Sequence, residues 1–283
     1  MRAISAVGVV GAGTMGHGIA QVAAQAGYST VLYDVAKELW EKGLQRIAQN
    51  LEAGVAKGKV TTEQKAQALE RLRGTAELKD LQGCQLVIEA APEDMALKQK
   101  LFQQLSEVAA ADAVLASNTS SLSLTEIAAA ARHPERVVGM HFFNPVHLMK
   151  LLELVRAFQT SDATLEAART AGERMGRQVI VVKDHPGFAS SRLGIALGME
   201  AIRMLEEGVA SAEDIDRAME LGYGHPMGPL KLTDLVGLDV RLAIAEYLHR
   251  ELGSPSFRPP QLLKKMVRAG KLGKKSGEGF YRY

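Results

Sequence analysis

Two residues have the types and spacing of a general acid/base pair. His141 stands at the end of a predicted strand over 137–140, and Glu153 lies 12 residues further on, inside the apolar segment MKLLELV. A carboxylate in such a segment needs a partner if it is buried, and a carboxylate bonded to one imidazole nitrogen raises the basicity of the other. The pair therefore suits a base that takes a hydroxyl proton as a hydride leaves, and a structural ion pair is the alternative.

A glycine-rich segment near the N-terminus has the pattern of a dinucleotide-binding loop. The sequence GAGTMG follows an apolar strand over 7–10 and opens a helix. In this context the G-x-G-x-x-G glycines allow a tight turn, the approach of the backbone to a pyrophosphate, and close helix–strand packing. The helix N-terminus also favours negative charge. The loop residues expected to contact the dinucleotide are Gly11, Gly13, Thr14, Met15 and Gly16.

The residue that ends the next strand indicates which dinucleotide binds. Asp34 ends that strand 18 positions after Gly16, and the residues that follow it, Val35 and Ala36, supply no arginine. An acidic residue at this place accepts hydrogen bonds from the adenosine ribose hydroxyls and repels a 2′-phosphate. We therefore predict NAD rather than NADP as the cofactor; a flavin nucleotide and a glycine-rich turn without ligand are the alternatives.

A run of hydroxyl and amide side chains follows the predicted strand over 113–116. It reads SNTSS, covers residues 117–121 and includes Ser120. Ligands of open α/β sheets bind beyond the carboxyl ends of the strands, so these side chains are expected near the reacting end of the dinucleotide. The same residues suit the N-terminus of a helix over 124–131, and both roles are compatible at different positions.

The first part of the chain alternates strand-like and helix-like segments. Apolar strands are expected over 7–10, 29–34, 86–89, 113–116, 137–140, 151–154 and 179–182. Strands separated by helical segments favour parallel βαβ units, so we predict an α/β fold with a Rossmann-type, doubly wound, mostly parallel sheet. A helix over 39–55 and another that starts at the capping box TTEQ (61–64) predict an inserted helical hairpin between the second and third strands.

The pattern changes near residue 184. Helices are expected over 188–207, 212–221, 230–252 and 261–269. We therefore predict an NAD-binding domain over residues 1–184 and an all-α C-terminal domain over 185–283 that serves substrate binding and dimerisation. The 188–207 helix is too apolar for a single buried stripe, which predicts a homodimer through this domain, although packing within the domain explains the pattern nearly as well.

Composition excludes several classes of protein. The 283 residues include 34 Lys and Arg against 32 Asp and Glu, a net charge of +2, which argues against a nucleic-acid binder. The apolar fraction of 47% is typical of globular proteins. No run of about 18 apolar residues or signal peptide is found, and the single Cys84 excludes an intramolecular disulfide. We expect a cytoplasmic protein that binds no membrane, nucleic acid or metal.

Taken together, these segments resemble the L-3-hydroxyacyl-CoA dehydrogenase family, including its bacterial 3-hydroxybutyryl-CoA dehydrogenases, over essentially the whole chain. The motifs that carry the resemblance are VGAGTMGHGIA (10–20), VIEAAPE (87–93), ASNTSSLSLTEIA (116–128), GMHFFNPVHLMKLLELV (139–155), HPGF (185–188), HPMGPLKLTDLVGLD (225–239) and KLGKKSGEGFYRY (271–283). Several long motifs in the correct order are far more specific than the glycine loop alone.

The resemblance implies roles for individual residues. The catalytic histidine of the family corresponds to His141, its partner glutamate to Glu153, and the serine that bonds the substrate 3-oxygen to Ser120. Asn144 corresponds to the asparagine that lies beside nicotinamide. The other matched positions are Glu93, Lys98 and Lys275 on the cofactor side and Lys57 at the coenzyme A phosphates. For Lys57, a solvated charge at a helix end is an equally good interpretation.

One position departs from the family pattern. Where the family often has P-G-F-x-x-N-R, this chain reads PGFASSR over 186–192, so Ser191 replaces the asparagine that helps to hold the substrate. A serine hydroxyl is shorter than an amide but still forms hydrogen bonds, directly or through water. The substitution leaves the chemistry intact and the substrate range open.

The resemblance implies NAD-dependent oxidation of an (S)-3-hydroxyacyl-CoA, such as 3-hydroxybutyryl-CoA, to the 3-oxoacyl-CoA, in a reversible reaction on an acyl-CoA thioester. A dehydrogenase of a free hydroxy acid or sugar acid, as in gulonate dehydrogenase, is the alternative and would not need Lys57. A nucleotide-binding protein without catalysis is a third interpretation, but it would have no need of both His141 and Glu153.

Overall fold

The computed structural model of the protein describes residues 3–283. The chain divides between Asp184 and His185 into two compact units. The first unit contains a sheet with helices, and the second is helical. No helix among the described residues has the length and apolarity needed to cross a membrane.

The first unit is built on one eight-stranded sheet in the order β3-β2-β1-β4-β5-β6-β7-β8. Neighbouring strands are parallel, except that β6 and β7 are antiparallel. The strands are β1 (Ala6–Val10), β2 (Ser29–Tyr33), β3 (Leu72–Thr75), β4 (Leu86–Glu89), β5 (Val114–Ser117), β6 (Val137–Phe142), β7 (Leu151–Arg156) and β8 (Gln178–Lys183). This topology confirms the predicted doubly wound, mostly parallel sheet.

The central strands form the core because both of their faces are covered. Every residue of β4, β5 and β6 is buried, as are four of the five residues of β1. A parallel strand covered on both faces carries a continuous apolar run rather than an alternating one. That run is the reason why these strands could be predicted from the sequence. Burial of each Val or Leu side chain contributes about 1.5–3 kcal/mol to the stability of the fold.

The helices of the first unit cover the sheet. They are α1 (Gly16–Gln25), α2 (Lys37–Ala56), α3 (Thr62–Glu70), α4 (Met95–Val108), α5 (Leu124–Ala129) and α6 (Asp162–Arg174). The capping box before α3 is present: the Gln64 N–H donates to Thr61 Oγ1 at 3.1 Å, and the Thr61 N–H donates to Gln64 Oε1 at 2.9 Å. The predicted helical hairpin therefore consists of α2 and α3.

The third strand in chain order was missed by the sequence analysis. β3 has the sequence LRGT, with three of its four residues at least partly exposed, and it pairs only with β2 at the edge of the sheet. An edge strand of this kind has no apolar run to reveal it. The hairpin consequently lies between β2 and β3 rather than between β2 and the strand over 86–89.

The second unit contains five α-helices among its described residues, and this confirms the predicted all-α C-terminal domain. They are α7 (Ser190–Glu206), α8 (Ala212–Gly222), α9 (Pro229–Val236), α10 (Leu238–Leu252) and α11 (Gln261–Arg268). The single helix predicted over 230–252 is wrong. Gly237 has φ +107° and separates α9 from α10, because this backbone conformation cannot continue an α-helix.

Two buried aspartates anchor the C-terminal segment of the second unit. Asp234 accepts hydrogen bonds from the Phe280 and Tyr281 N–H groups at 2.9 Å each. Asp216 accepts from the Tyr281 hydroxyl at 2.8 Å. Burial, together with the Asp234 charge, raises the pKa of Tyr283 to about 12. Because buried carboxylates need donors, these contacts fix the last residues against α8 and α9.

Candidate active site

The antiparallel pairing of β6 and β7 brings the predicted acid/base pair together. His141 and Glu153 are register partners across these strands, and partners in such a pair have their side chains on the same face of the sheet. His141 Nδ1 lies 2.8 Å from Glu153 Oε2, and the two side chains are 8% and 0% exposed. The predicted contact is therefore present in the structure.

This contact determines which imidazole nitrogen is available for proton transfer. With Nδ1 held by the carboxylate, the tautomer is fixed and proton exchange is directed to Nε2. The Phe143 ring lies 4.5 Å from the imidazole, centroid to centroid, and packs beside it. The arrangement has the parts of a general acid/base, namely an oriented imidazole and a buried carboxylate that stabilises its protonated form.

Ser120 lies in the loop that follows β5, the strand next to β6. That loop is tied to β6, since Asn118 Oδ1 accepts a hydrogen bond from the Phe142 N–H at 2.9 Å. The Ser120 N–H and hydroxyl both donate to Glu93 Oε1, at 2.9 Å and 3.3 Å. The structure thus places Ser120 at the same edge of the sheet as His141, with its backbone held by Glu93.

Glu93 accepts several hydrogen bonds from the loop after β5. Besides Ser120, the Thr119 hydroxyl donates at 2.7 Å and the Ser121 N–H at 3.2 Å. Burial raises the pKa of Glu93, but the positive charge of Lys98 and these hydrogen bonds outweigh it, so the pKa lies below its ordinary value. The carboxylate is therefore ionised at neutral pH, and its stabilising contribution is lost as the pH falls through this lowered pKa.

Lys98 lies inside the fold between two carboxylates. It is 1% exposed, and its ammonium lies 2.6 Å from Oε1 of Glu89 and 3.5 Å from Oε2 of Glu93. The fully buried Glu89 also accepts from the Ser117 hydroxyl and the Ala91 N–H, at 2.6 Å each. Sequence reasoning missed Glu89, although an acidic residue ending the buried strand LVIE was an available signal, whereas Ser117 is the first residue of the predicted run SNTSS.

The other predicted site residues lie on other elements of the two units. Asn144 is exposed and follows β6 by two residues, and Ser191 is half-buried at the start of α7. Lys275 lies in the second unit, where its ammonium is 2.6 Å from Asp239 Oδ1. Lys57 is the C-terminal capping residue of α2.

Lys57 lines a cavity of about 460 Å³ in the first unit. Several basic side chains line the same cavity, and they are Lys57, Lys59, His147, Arg174 and Arg177. Burial and the charges of His17 and Arg177 lower the pKa of His147. The concentration of positive charge in one cavity suits an anionic ligand.

The glycine loop has the geometry that a dinucleotide requires. Gly11 has φ +98°, and a Cβ on Gly16 would lie 1.6 Å from the Gly11 carbonyl oxygen, so both positions need glycine. A Cβ on Gly13 would meet nothing within 4 Å, which leaves open space beside the loop backbone. Asp34 Oδ2 accepts from the Ala12 N–H at 2.7 Å and so lies next to the loop. These residues fit the pyrophosphate and ribose of a dinucleotide.

Comparison with known proteins gives two family matches that together cover nearly the whole chain. Residues 6–185 match the family described as 3-hydroxyacyl-CoA dehydrogenase, NAD binding domain, and residues 187–283 match 3-hydroxyacyl-CoA dehydrogenase, C-terminal domain. A 3-hydroxybutyryl-CoA dehydrogenase of Mycobacterium tuberculosis is 49% identical over 285 residues, covering 99% of each chain. A probable 3-hydroxybutyryl-CoA dehydrogenase of Deinococcus radiodurans is 47% identical, covering 98% of this chain and 99% of the relative.

A solved structure is similar over the full length. The crystal structure of (S)-3-hydroxybutyryl-CoA dehydrogenase from Ralstonia eutropha superposes with a TM-score of 0.96 at 44% identity, and 99% of each chain is covered. The similarity therefore extends to both units.

Replacement of Lys98 by methionine tests the buried ion pair. The substitution Lys98→Met leaves the Glu89 carboxylate buried without a counter-ion, so we expect a loss of about 3–5 kcal/mol in the free energy of unfolding. Urea unfolding followed by circular dichroism measures the change. Lys100→Met, an exposed position on the same helix, is the control and should leave the unfolding midpoint unchanged; equal stability of the two variants would contradict the role of Lys98.

Proposed function

The chain belongs to the 3-hydroxyacyl-CoA dehydrogenase family and is an NAD-dependent oxidoreductase, and from this premise we propose its substrate and mechanism. It oxidises an (S)-3-hydroxyacyl-CoA, such as 3-hydroxybutyryl-CoA, to the 3-oxoacyl-CoA, and catalyses the reverse reduction. The observation that carries this proposal is the 2.8 Å contact between His141 and Glu153. Two of the relatives carry names that agree with this substrate.

His141 is the proposed general acid/base of the reaction. When bound, NAD supplies the hydride acceptor. During oxidation His141 takes the proton of the substrate 3-hydroxyl at Nε2, and Glu153 at Nδ1 stabilises the resulting imidazolium. Ser120 bonds the substrate 3-oxygen, and Asn144 holds the cofactor beside it. During reduction the same imidazolium returns the proton, so one pair of residues serves both directions.

The cofactor-binding role is proposed for the loop that ends β1 and for its neighbours. Gly13 leaves room for a pyrophosphate beside the backbone, and Asp34 presents a carboxylate to the ribose hydroxyls. The remaining residues proposed on the cofactor side are Gly11, Thr14, Met15, Gly16, Glu93, Lys98 and Lys275. For Lys98, its position between Glu89 and Glu93 supports an indirect role, in which it holds Glu93 in place.

The acyl-CoA is proposed to use Lys57 and the basic cavity that it lines. Coenzyme A is polyanionic, and a few cations in one place suffice to bind it without a large net charge on the chain. Ser191, which replaces the family asparagine, is proposed to contact the substrate through its hydroxyl. The assignments of Lys57 and Ser191 both rest on the family resemblance. The basic side chains that line the cavity also support the assignment of Lys57.

A homodimer through the C-terminal domain is also proposed. Exposed apolar side chains on α7, α9 and α10 support it, because interfaces between identical subunits are rich in apolar side chains; they are Leu193, Leu235, Val236 and Val240. A sedimentation mass near 30.5 kDa, that of one chain, at micromolar concentration would contradict a dimer.

The single cysteine takes no part in the proposed chemistry. Cys84 is 1% exposed, and burial raises the pKa of its thiol to about 11, although the Arg73 charge acts in the opposite direction. A thiol with this pKa has almost no thiolate at neutral pH and is a poor nucleophile. A reduced, buried thiol agrees with the cytoplasmic location that we propose.

The substrate is tested by comparing thioester and free acid. With NADH, we expect acetoacetyl-CoA to be reduced with a kcat/KM at least about 100-fold above that of acetoacetate, since only the thioester carries the coenzyme A anions. Lys57→Ala should raise the KM for acetoacetyl-CoA about 3- to 10-fold with little change in kcat. Lys42→Ala on the same helix, outside the cavity, is the control. Equal activity on acetoacetate would instead indicate a free-acid dehydrogenase.

The acid/base role is tested at His141 and Glu153. His141→Ala should lower kcat with acetoacetyl-CoA and NADH about 10²- to 10⁴-fold, because the proton donor is lost. Glu153→Gln keeps the shape but loses the charge, and a smaller loss of kcat is expected. Near wild-type turnover of His141→Ala would show that the assignment is wrong. Unchanged NADH binding and circular dichroism exclude a loss of the fold as the cause.

The glycine loop offers a matched pair of substitutions. Gly13→Ala should leave the melting temperature unchanged, since the new Cβ meets no protein atom within 4 Å, but should weaken NADH binding at least about 10-fold by filling the space for the pyrophosphate. Gly16→Ala should lower the melting temperature itself, because its Cβ would overlap the Gly11 carbonyl. Titration calorimetry measures the affinity for NADH, and thermal unfolding measures the melting temperature of both variants. If Gly13→Ala binds NADH with unchanged affinity, the loop is not part of the cofactor site.

A further inference from the structure

The basic cavity that Lys57 lines has side chains of one charge sign only. Its charged and titratable lining residues are Lys57, Lys59, His147, Arg174 and Arg177, and no Asp or Glu among the described residues lines it. By contrast, the cavity beside Arg203 is also lined by Glu206 and Glu207. Because like charges repel one another, a cavity of this composition favours a ligand with more than one negative charge.

His147 is held at this cavity by the segment that joins β6 to β7. Arg177 Nη1 donates a hydrogen bond to the Val146 carbonyl at 2.9 Å and another to the Met149 carbonyl. Val146 precedes His147 directly, and Met149 follows it by two residues. The guanidinium therefore fixes the backbone on both sides of His147, and the position of the imidazole at the cavity is a property of the fold.

Helix α1 packs against the same segment and brings a second imidazole near His147. A Cβ on Gly18 would lie 2.8 Å from Val146 Cβ, so glycine at this position lets the helix approach the segment closely. His17 precedes Gly18, and its charge acts on His147. The groups that line the cavity with His147 or act on its charge are thus all basic, and they come from four elements: His17 on α1, Lys57 and Lys59 after α2, Arg174 on α6, and Arg177 before β8.

The imidazole of His147 is half-buried, and no hydrogen bond or ion pair to it is found among residues 3–283. Burial and the charges of His17 and Arg177 lower its pKa, so the neutral form predominates at neutral pH. An anion beside the ring has the opposite effect, because a neighbouring negative charge favours the protonated form. The charge of His147 therefore depends on whether an anion occupies the cavity.

We propose that His147 takes up a proton when a phosphate group of the acyl-CoA enters the basic cavity, so that substrate binding is coupled to protonation of this residue. This inference rests on the proposed function, because it takes the cavity as the place of the coenzyme A phosphates. The proton comes from solvent, the imidazolium donates a charge-assisted hydrogen bond to a phosphate oxygen, and the proton returns to solvent when the coenzyme A thioester leaves. The 3′-phosphate and the diphosphate of coenzyme A have the same chemistry here, and the experiment separates them.

The coupling has a definite direction with pH. The phosphate raises the pKa of His147 in the complex above its value in the free protein. The additional affinity is therefore fully present at a pH below the pKa of the free protein, and it is lost as the pH rises through the pKa of the complex.

The test counts the protons taken up when acetyl-CoA binds to the NAD-loaded protein. Acetyl-CoA carries the coenzyme A phosphates but has no 3-oxygen for His141 to contact. Titration calorimetry at about pH 7.5, where a phosphate monoester is almost fully ionised, is done in two buffers that differ in ionisation enthalpy, and the difference in apparent binding enthalpy gives the proton count. We expect uptake of about half a proton for each acetyl-CoA bound, as for a histidine that gains one charge-assisted hydrogen bond.

Variants of His147 separate a charge effect from a structural one. His147→Gln should abolish the uptake and weaken acetyl-CoA binding about 10-fold at about pH 6, but less than about 2-fold at about pH 8.5, where wild type has also lost the charge. His147→Lys is charged at both pH values and should bind acetyl-CoA with little pH dependence and without the uptake. His133→Gln, outside the cavity, is the control and should take up protons as wild type does.

The analogue acetyl-3′-dephospho-CoA identifies the phosphate. Loss of the uptake with this analogue assigns the contact to the 3′-phosphate, whereas retention of the uptake assigns it to the diphosphate, and both results support the proposal.

The possible failures are distinguishable. If acetoacetyl-CoA is reduced and acetyl-CoA binds, but His147→Gln and wild type take up the same number of protons, the inference on His147 is overturned and the proposed function stands. Equal weakening of binding by His147→Gln at both pH values would indicate a structural role and overturn the inference as well. If no acyl-CoA binds or reacts, the proposed function itself fails, and the inference fails with it.

Discussion

The candidate active site depends on the antiparallel register of β6 and β7. Glu153 has no exposed surface, and a carboxylate in that position is tolerated only with a partner. The register supplies His141 directly opposite, at 2.8 Å. A slip of β7 by one residue would turn Glu153 to the face of the sheet opposite His141, and the other side chains of β7 would change face with it. The contact that orients the imidazole therefore also belongs to the set of contacts that determine how the two strands pair.

The parallel half of the sheet gathers the other polar groups at one edge. The glycine loop follows β1, Glu89 ends β4 and Ser117 ends β5, and these three strands are neighbours in the sheet. The strand order changes direction between β1 and β4, which is the place where ligands bind in open α/β sheets. Residues distant in sequence thus meet because parallel strands share the direction in which they end.

The described residues of this protein include buried charges with a counter-ion and a buried charge without one. Lys98 and Glu89 neutralise each other within the first unit, and their contacts extend through Glu93 to the loop that carries Ser120. The second unit buries Arg241 with no anion of its own. A paired charge serves to position its neighbours, whereas an unpaired one lowers stability unless a ligand completes it.

What the sequence determined by itself is local and periodic: the buried strands, the capping box at Thr61, the glycine loop, and the polar residues that follow strand ends. These features depend on residues that are neighbours in the chain, and so they can be predicted from the sequence alone. The edge strand β3 and the helix break at Gly237 were not predicted, since neither interrupts nor creates an apolar pattern. The partnership of Glu89 with Lys98, and the isolation of Arg241, were decided only by the tertiary structure, because the balance of charge in a buried site depends on which side chains packing brings within a few ångströms.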